Sequence, residues 1–284
     1  MDLTDKKVLT DLLSKHHLWA QKRLGQNFLV SKKVLNKIIV AAALAKKDYV
    51  IEVGAGVGTL TAELCRQARW VLSVEVDQNM VRILKETCGQ YVNLKIIQKN
   101  ILGLELAKVL GTIRDYRVVA NLPYYITQPV LRYFLENQAK PRFMVLMVQK
   151  EVAEKICAKP GKMSLLSVSV QFFSDPKLIE VVPAESFFPV PKVDSAIIKL
   201  RNIAEKFPKV AQSLFFQIVK AGFSGRRKQL KNSLSAGLRL EPKIIIGILK
   251  NVKIEPERRA ETLSLEEWHE IYQTFESEFQ FSKS

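Results

Sequence analysis

Four consecutive residues, Asn121-Leu122-Pro123-Tyr124, carry groups suited to chemistry on an aromatic amino group. Such a nitrogen is a poor nucleophile, because its lone pair is delocalised into the ring. The Asn121 side-chain oxygen and the Leu122 backbone carbonyl can each accept one amino proton. Two fixed acceptors hold the nitrogen closer to tetrahedral and aim its lone pair at an electrophile. Pro123 fixes the backbone that presents the carbonyl. Tyr124 offers a face for a base drawn out of its stack. No strong general base is needed, and the chain has only three histidines.

Upstream, the residues from Tyr49 to Thr59 run a strand pattern into Gly54, Gly56 and Gly58 and then a helix pattern. Glycines there permit a tight turn and let backbone N–H groups approach a ligand. A nicotinamide dinucleotide loop reads G-x-G-x-x-G. Here the third glycine comes one residue early, and Thr59 stands in the dinucleotide glycine's place. The G-x-G-x-G form preceded by Glu52 resembles the cofactor loop of S-adenosylmethionine (SAM) methyltransferases. Glu75 ends the second strand pattern, where a carboxylate can accept from both ribose hydroxyls. Asn100 is expected at the end of the third strand, beside the adenine of such a ligand. The N-L-P-Y segment ends the fourth, and it resembles the catalytic motif of amino-group methyltransferases.

Positioning these groups requires a sheet. Strand-like runs at 49–53, 70–76, 94–98, 117–120 and 143–148 are interleaved with helical patterns such as 59–66 and 79–88. This alternation predicts a parallel sheet with helices on both faces. Ser31 reads as an N-cap for the helix that follows. Runs at 177–182 and 196–200 flank a proline-rich loop and read as an antiparallel pair at a sheet edge. After residue 201 only helical patterns follow, at 210–223, 229–236, 242–250 and 265–279. The last opens on a capping box, Ser264 with Glu267. The expectation is an α/β, Rossmann-like domain over residues 1–204 and a small all-helical domain over 205–284.

Three further segments complete the candidate contacts, and the last two have two readings each. Gln26 to Leu29 is a loop and cap region, with Lys22 and Arg23 as a basic approach. Phe187 and Phe188, in the loop that carries Lys192, either pack in the core or clamp a base. Residues 220–231 hold five positive and no negative charges, among them Arg226, Arg227, Lys228 and Lys231. They form either a solvated helix face or a phosphate contact.

Charge favours the phosphate reading. The 284 residues carry a net +16. From Glu255 onward there are three basic and eight acidic residues, so residues 1–254 carry +21. Solubility needs a net charge of only about 2–8, whereas a body this basic holds a polyanion and releases it as salt rises. With 48% hydrophobic residues the chain can bury a core, which excludes general disorder. Its longest apolar run falls far short of the ~20 residues of a membrane helix, and no secretory signal is visible. Three scattered cysteines and few histidines speak against a disulfide framework or a zinc site. The expected setting is a reducing cytoplasm, with no metal and no membrane.

Taken together, L-G-Q-N-F-L (24–29), E-V-G-A-G-V-G-T-L-T (52–61), E-V-D (75–77), N-L-P-Y (121–124), F-x-P-x-P-K-V-D-S (187–195) and F-S-G-R-R-K-Q-L-K-N-S-L (223–234) resemble the KsgA/RsmA ribosomal RNA adenine dimethyltransferases. The resemblance implies that Asn27, Leu29, Gly54, Gly56, Glu75, Asn100 and Asn121 hold SAM, and that Asn121, Leu122, Pro123, Tyr124 and Phe187 handle the target base. It implies transfer to the N6 groups of two adjacent adenines near the 3′ end of small-subunit rRNA, within an assembling subunit. A monomer is expected, its helical domain docking on that particle. Asn100 departs from the family's usual Asp, which removes a charge but keeps an acceptor oxygen. Two competing readings are an Erm-like enzyme acting on large-subunit rRNA and a non-catalytic nucleic-acid-binding factor on the same scaffold.

Overall fold

Nine strands form among the residues described in this computed structural model, namely 1–18, 26–225 and 227–280. In chain order they are β1 (Phe28–Leu29), β2 (Tyr49–Val53), β3 (Trp70–Glu75), β4 (Leu94–Gln98), β5 (Tyr116–Asn121), β6 (Phe143–Gln149), β7 (Asp175–Val182), β8 (Phe187–Phe188) and β9 (Ser195–Arg201). Seven form one sheet in the order β4-β3-β2-β5-β6-β9-β7. The first five are parallel, and β9 pairs antiparallel with both β6 and β7. Strands β3, β5 and β6 are almost wholly buried, as expected where both faces of a parallel sheet are covered.

The helices of the first unit are α1 (Lys6–Lys15), α2 (Lys32–Ala42), α3 (Thr59–Gln67), α4 (Gln78–Cys88), α5 (Leu106–Leu110) and α6 (Thr127–Glu136). Ser31 caps α2 by accepting from the Val34 N–H. Strand order reverses between β2 and β5, with β3 on one side and β6 on the other. In open α/β sheets the ligand crevice lies outside the strand carboxyl ends at such a switch point. Gly54 follows β2 and Asn121 ends β5, so the topology delivers both motifs to one crevice.

The chain divides into two compact units, residues 1–153 with 175–204 and residues 154–174 with 205–284. The expected first domain of 1–204 differs from this in one segment, 154–174. The reason is aromatic packing. Phe172 and Phe173 lie at the end of α8 (Leu165–Gln171), after α7 (Lys150–Ile156). Phe172 has ring centroids 4.9 Å from Phe215 and 5.9 Å from Phe207, and Phe173 lies 6.3 Å from Phe216. These partners belong to the helical unit.

That unit also contains α9 (Gln212–Gly222), α10 (Leu230–Leu238), α11 (Pro242–Asn251) and α12 (Leu265–Gln280). The capping box forms: Ser264 N donates to Glu267 at 2.7 Å, and Glu267 N donates to Ser264 Oγ at 3.1 Å. No helix among the described residues is long and apolar enough to cross a membrane.

Candidate active site

One cavity gathers most of the chemistry-bearing residues. Its walls come from Gln26–Leu29, the glycine turn with Glu52 and Thr59, the segment Glu75–Asp77, Asn121–Tyr125 and Phe187. Every residue named lies in the first unit.

The two main motifs touch through Gly54. Its φ is +73°, and a Cβ there would meet Pro123 Cδ at 3.2 Å and the Asn121 carbonyl oxygen at 3.8 Å. A side chain would strain the turn and push the N-L-P-Y segment outward. Gly58 serves packing instead. With φ at +95°, its Cβ would fall 2.7 Å from Cys88 Sγ and 2.9 Å from Thr87 Oγ1 of α4. The third glycine therefore lets α4 close on the turn.

Glu75, 8% exposed, organises the loop. One carboxylate oxygen accepts from Gly56 N at 2.9 Å. The other accepts from Val76 N at 2.8 Å and Asp77 N at 3.0 Å. Carboxylates have about four lone-pair sites, so capacity remains for a ligand hydroxyl. Asp77 caps α4 through Asn79 N at 2.8 Å and accepts from the Gln26 amide at 3.0 Å.

Beneath the turn lies Glu52, only 1% exposed. The hydroxyls of Thr61 and Ser73 both donate to it at 2.6 Å. Burial pushes its carboxyl up to about 7, against those hydrogen bonds and with help from nearby Glu75. An unfolded chain ionises this group near 4.5, so the folded state alone keeps the proton between those values. Stability must then fall as pH rises through that window and level off above it, by ~3 kcal/mol for about 2.5 units. Urea unfolding of Glu52→Gln and the parent at pH 5 and pH 8 checks this. The variant is expected to lose less stability over that interval. Equal losses would mean that Glu52 ionises normally.

At the end of β5, Leu122 N donates to the Met147 carbonyl at 3.2 Å, which ties the turn to β6. Leu122 is buried. Neither the Asn121 side chain nor the Leu122 carbonyl oxygen has a hydrogen-bond partner among the described residues. Both remain available as acceptors. Tyr124 shares a 2.8 Å hydrogen bond with Ser195 Oγ at the start of β9. Burial raises its phenol pKa above the ordinary value, partly opposed by that bond.

Asn27, Leu29, Gly54, Gly56, Glu75, Asn121, Leu122, Pro123, Tyr124 and Phe187 line this cavity. Leu29 and Phe187 meet because β1 and β8 pair, Leu29 opposite Phe187 and Phe28 opposite Phe188. The Gln26–Leu29 loop is thus partly strand. Phe187 is 2% exposed and packs with Leu29, Val182 and Ile197. It borders the cavity from within the core. Asn100 is not among the lining residues. It lies two residues beyond β4, where it is exposed and accepts from Leu102 N at 3.0 Å to cap a short 3-10 turn.

Lys192 is exposed in the loop between β8 and β9. In the helical unit Arg227 and Lys228 are exposed, whereas Lys231 pairs with Glu257 at 2.7 Å. Lys22, Arg23 and Arg226 lie outside the described residues. Tyr125 and Thr59 line the cavity without having been singled out as site residues. Thr59 marks only a departure from the dinucleotide pattern in the sequence, and Tyr125 carries no assignment there.

The cavity can be tested against SAM. Thr59 Oγ1 is buried and unpaired, at the first residue of α3, whose Gly58 cap supplies no side-chain hydrogen bond. A buried hydroxyl without a partner costs stability unless a ligand satisfies it. A hydroxyl at a helix N-terminus suits a carboxylate, and the spare acceptor sites of Glu75 suit ribose hydroxyls. The donor set fits an amino-acid-bearing nucleoside. No group of three or more His, Cys, Asp or Glu side chains placed to hold a metal occurs among the described residues.

Residues 18–276 match the family model described as ribosomal RNA adenine dimethylase. The chain is 48% identical to ribosomal RNA small subunit methyltransferase A of Dehalococcoides mccartyi, over 91% of this chain and 89% of that one. It is 40% identical to the protein of the same name from Alkaliphilus oremlandii, over 94% and 95%. Among solved structures, a dimethyladenosine transferase from Plasmodium falciparum superposes with a TM-score of 0.75 at 25% identity, covering 88% of this chain and 98% of that one. The 23S rRNA methyltransferase ErmE gives 0.71 at 28% identity, covering 88% and 100%.

Proposed function

Because the chain belongs to the ribosomal RNA adenine dimethylase family, we propose that it methylates the N6 amino groups of two adjacent adenines near the 3′ end of small-subunit rRNA, with SAM as donor. The observation that carries the chemistry is the pair of unpartnered acceptors, Asn121 and the Leu122 carbonyl, beside the glycine turn. When bound, SAM supplies an electrophilic methyl on a sulfonium sulfur.

The protein's part is orientation. Asn121 and Leu122 accept the two amino protons, which turns the nitrogen lone pair out of the ring. The bound donor would supply the methyl and keep the electron pair of its S–C bond, so these residues need only aim the nitrogen. The methylated nitrogen would then be acidic and give its proton to water, so the absence of histidine among the described lining residues is no obstacle. Tyr124, tethered to Ser195, holds a ring where the extruded base can stack. Glu75, Thr59, Asn27 and Leu29 would hold the donor. Asn100 would add a contact to its adenine only through whatever acceptor capacity its capping role leaves.

Small-subunit RNA is favoured over the Erm-like alternative by the 48% and 40% relatives, against 28% for ErmE. Intact Gly54, Gly56, Gly58, Glu75 and Asn121–Tyr124 speak against a non-catalytic factor. The same reading has the protein act as a monomer in the cytoplasm, on an assembling subunit, with the helical unit contributing to docking. Three unpaired cysteines suit a reducing compartment. The deciding experiment is labelled-SAM transfer to small-subunit particles, large-subunit rRNA and DNA in parallel, followed by mapping of the modified nucleotide. Label confined to large-subunit rRNA would replace this reading with the Erm-like one.

The salt dependence of RNA binding tests the basic surface. Neutralising Arg227 and Lys228 should flatten the log–log slope by roughly 0.7–0.9 for each phosphate that is no longer neutralised. SAM affinity should stay the same. Lys231, already paired with Glu257, should contribute less. An unchanged slope would return Arg227 and Lys228 to a merely solvated face.

A further inference from the structure

We infer that Tyr125 forms a second nucleobase subsite, a stacking platform at the cavity mouth for the base that neighbours the target. This rests on the proposed RNA substrate and names a part of it that the catalytic residues leave unattended. Tyr124 and Tyr125 are successive residues of a 3-10 turn, Tyr124–Ile126. Residues in such a turn are separated by about 120°, so adjacent rings diverge. The Tyr124 hydroxyl is tied to Ser195. Tyr125 also lines the cavity, yet 60% of it is exposed. Among the described residues it has no hydrogen bond, ion pair or ring contact. The loop that ends at Ser195 also exposes Val190, Lys192 and Val193 to solvent.

The need for such a platform follows from extruding a base. Withdrawing the target from its stack strips the neighbouring base of its partner, and that loss is part of the cost of flipping. A free aromatic face at the mouth replaces the missing partner. Stacking on a side chain tolerates any base, because every base has a π-face. Tyr125 therefore serves affinity and the extruded geometry, while Asn121 and Leu122 recognise the amino group. With two adjacent target adenines, the base on the platform is the second target waiting its turn.

The test uses the full chain and a hairpin RNA whose loop has one adenine followed by 2-aminopurine, a base whose fluorescence is quenched by stacking. Wild-type protein with SAM should quench the probe. Tyr125→Ala should abolish that quenching and weaken RNA binding about 10-fold. Its urea-unfolding midpoint should stay near wild type, because a ring that is 60% exposed adds little to the core, and this shows that the variant is folded. Tyr125→Trp should restore both signals. Transfer of label to small-subunit particles by the wild type is read first. No transfer overturns the substrate reading and this inference with it. Normal transfer with no wild-type quenching, or with Tyr125→Ala quenching and binding as wild type, overturns the platform alone.

Discussion

Asn121→Ala is expected to cut methyl transfer by about 100-fold or more, because it removes one of two preorganised acceptors on the reacting amino group. The interaction strengthens as the nitrogen pyramidalises, so its worth is greater in the transition state than in the ground state. RNA affinity should change little, since phosphate contacts dominate it. SAM affinity is expected to fall modestly, because Asn121 borders the same cavity as the glycine turn. Single-turnover transfer with SAM and RNA both saturating isolates the chemical step. A normal rate there would reduce the N-L-P-Y segment to a turn and end the mechanism proposed above. The companion residue gives a graded control. Tyr124→Phe keeps the stacking face but loses the 2.8 Å tether to Ser195, so much activity should remain. Tyr124→Ala loses both face and tether, and its rate should drop further.

The residues that were legible in the sequence are those whose roles are local. Gly54 can take the positive φ that its turn requires, and its spacing to Gly56 and Thr59 separates one cofactor loop from another. β2, β3, β5 and β6 announce themselves because both of their faces are buried. Ser264 and Glu267 form their capping box within one turn. What the sequence hid is made by distant pairing. β1 and β8 are two residues each, too short for any periodicity, and only their mutual register places Leu29 against Phe187. The segment 154–174 carries an ordinary helical pattern, and nothing local says which core Phe172 will join. Asn100 has a second role that its position does not announce. Its position after the third strand of the parallel sheet suggested a ligand contact, but a short side chain there also caps the turn that follows, and it is that bond which forms. Phe187 was open between clamp and core, and pairing of β8 with β1 buries it.

Glu75→Ala should produce two losses that a simple contact residue would not. The first is in cofactor binding. Removing a charged acceptor from ribose hydroxyls is expected to weaken SAM by ~1–3 kcal/mol, roughly 5- to 150-fold. The second is in the protein without cofactor. The carboxylate accepts from the N–H groups of Gly56, Val76 and Asp77, and alanine leaves all three without it. Water can reach part of this site, so the expected cost to stability is about 1–3 kcal/mol rather than the sum of three orphaned donors. Glu75→Gln separates the two effects only in part. Its single amide oxygen can serve one side of the loop, while its NH2 faces donors on the other. It should therefore lie between wild type and alanine in both respects. Calorimetry with SAM, with NAD as the comparison ligand, and urea unfolding without cofactor supply the measurements. Wild type should bind SAM and show no comparable affinity for NAD, since Thr59 stands where a dinucleotide loop has its third glycine. If Glu75→Ala unfolds at the wild-type urea concentration yet loses SAM, the carboxylate touches only the ligand. If it keeps SAM and loses stability, its work is confined to the loop. Loss of neither would leave a solvated carboxylate, and the ribose assignment would go with it.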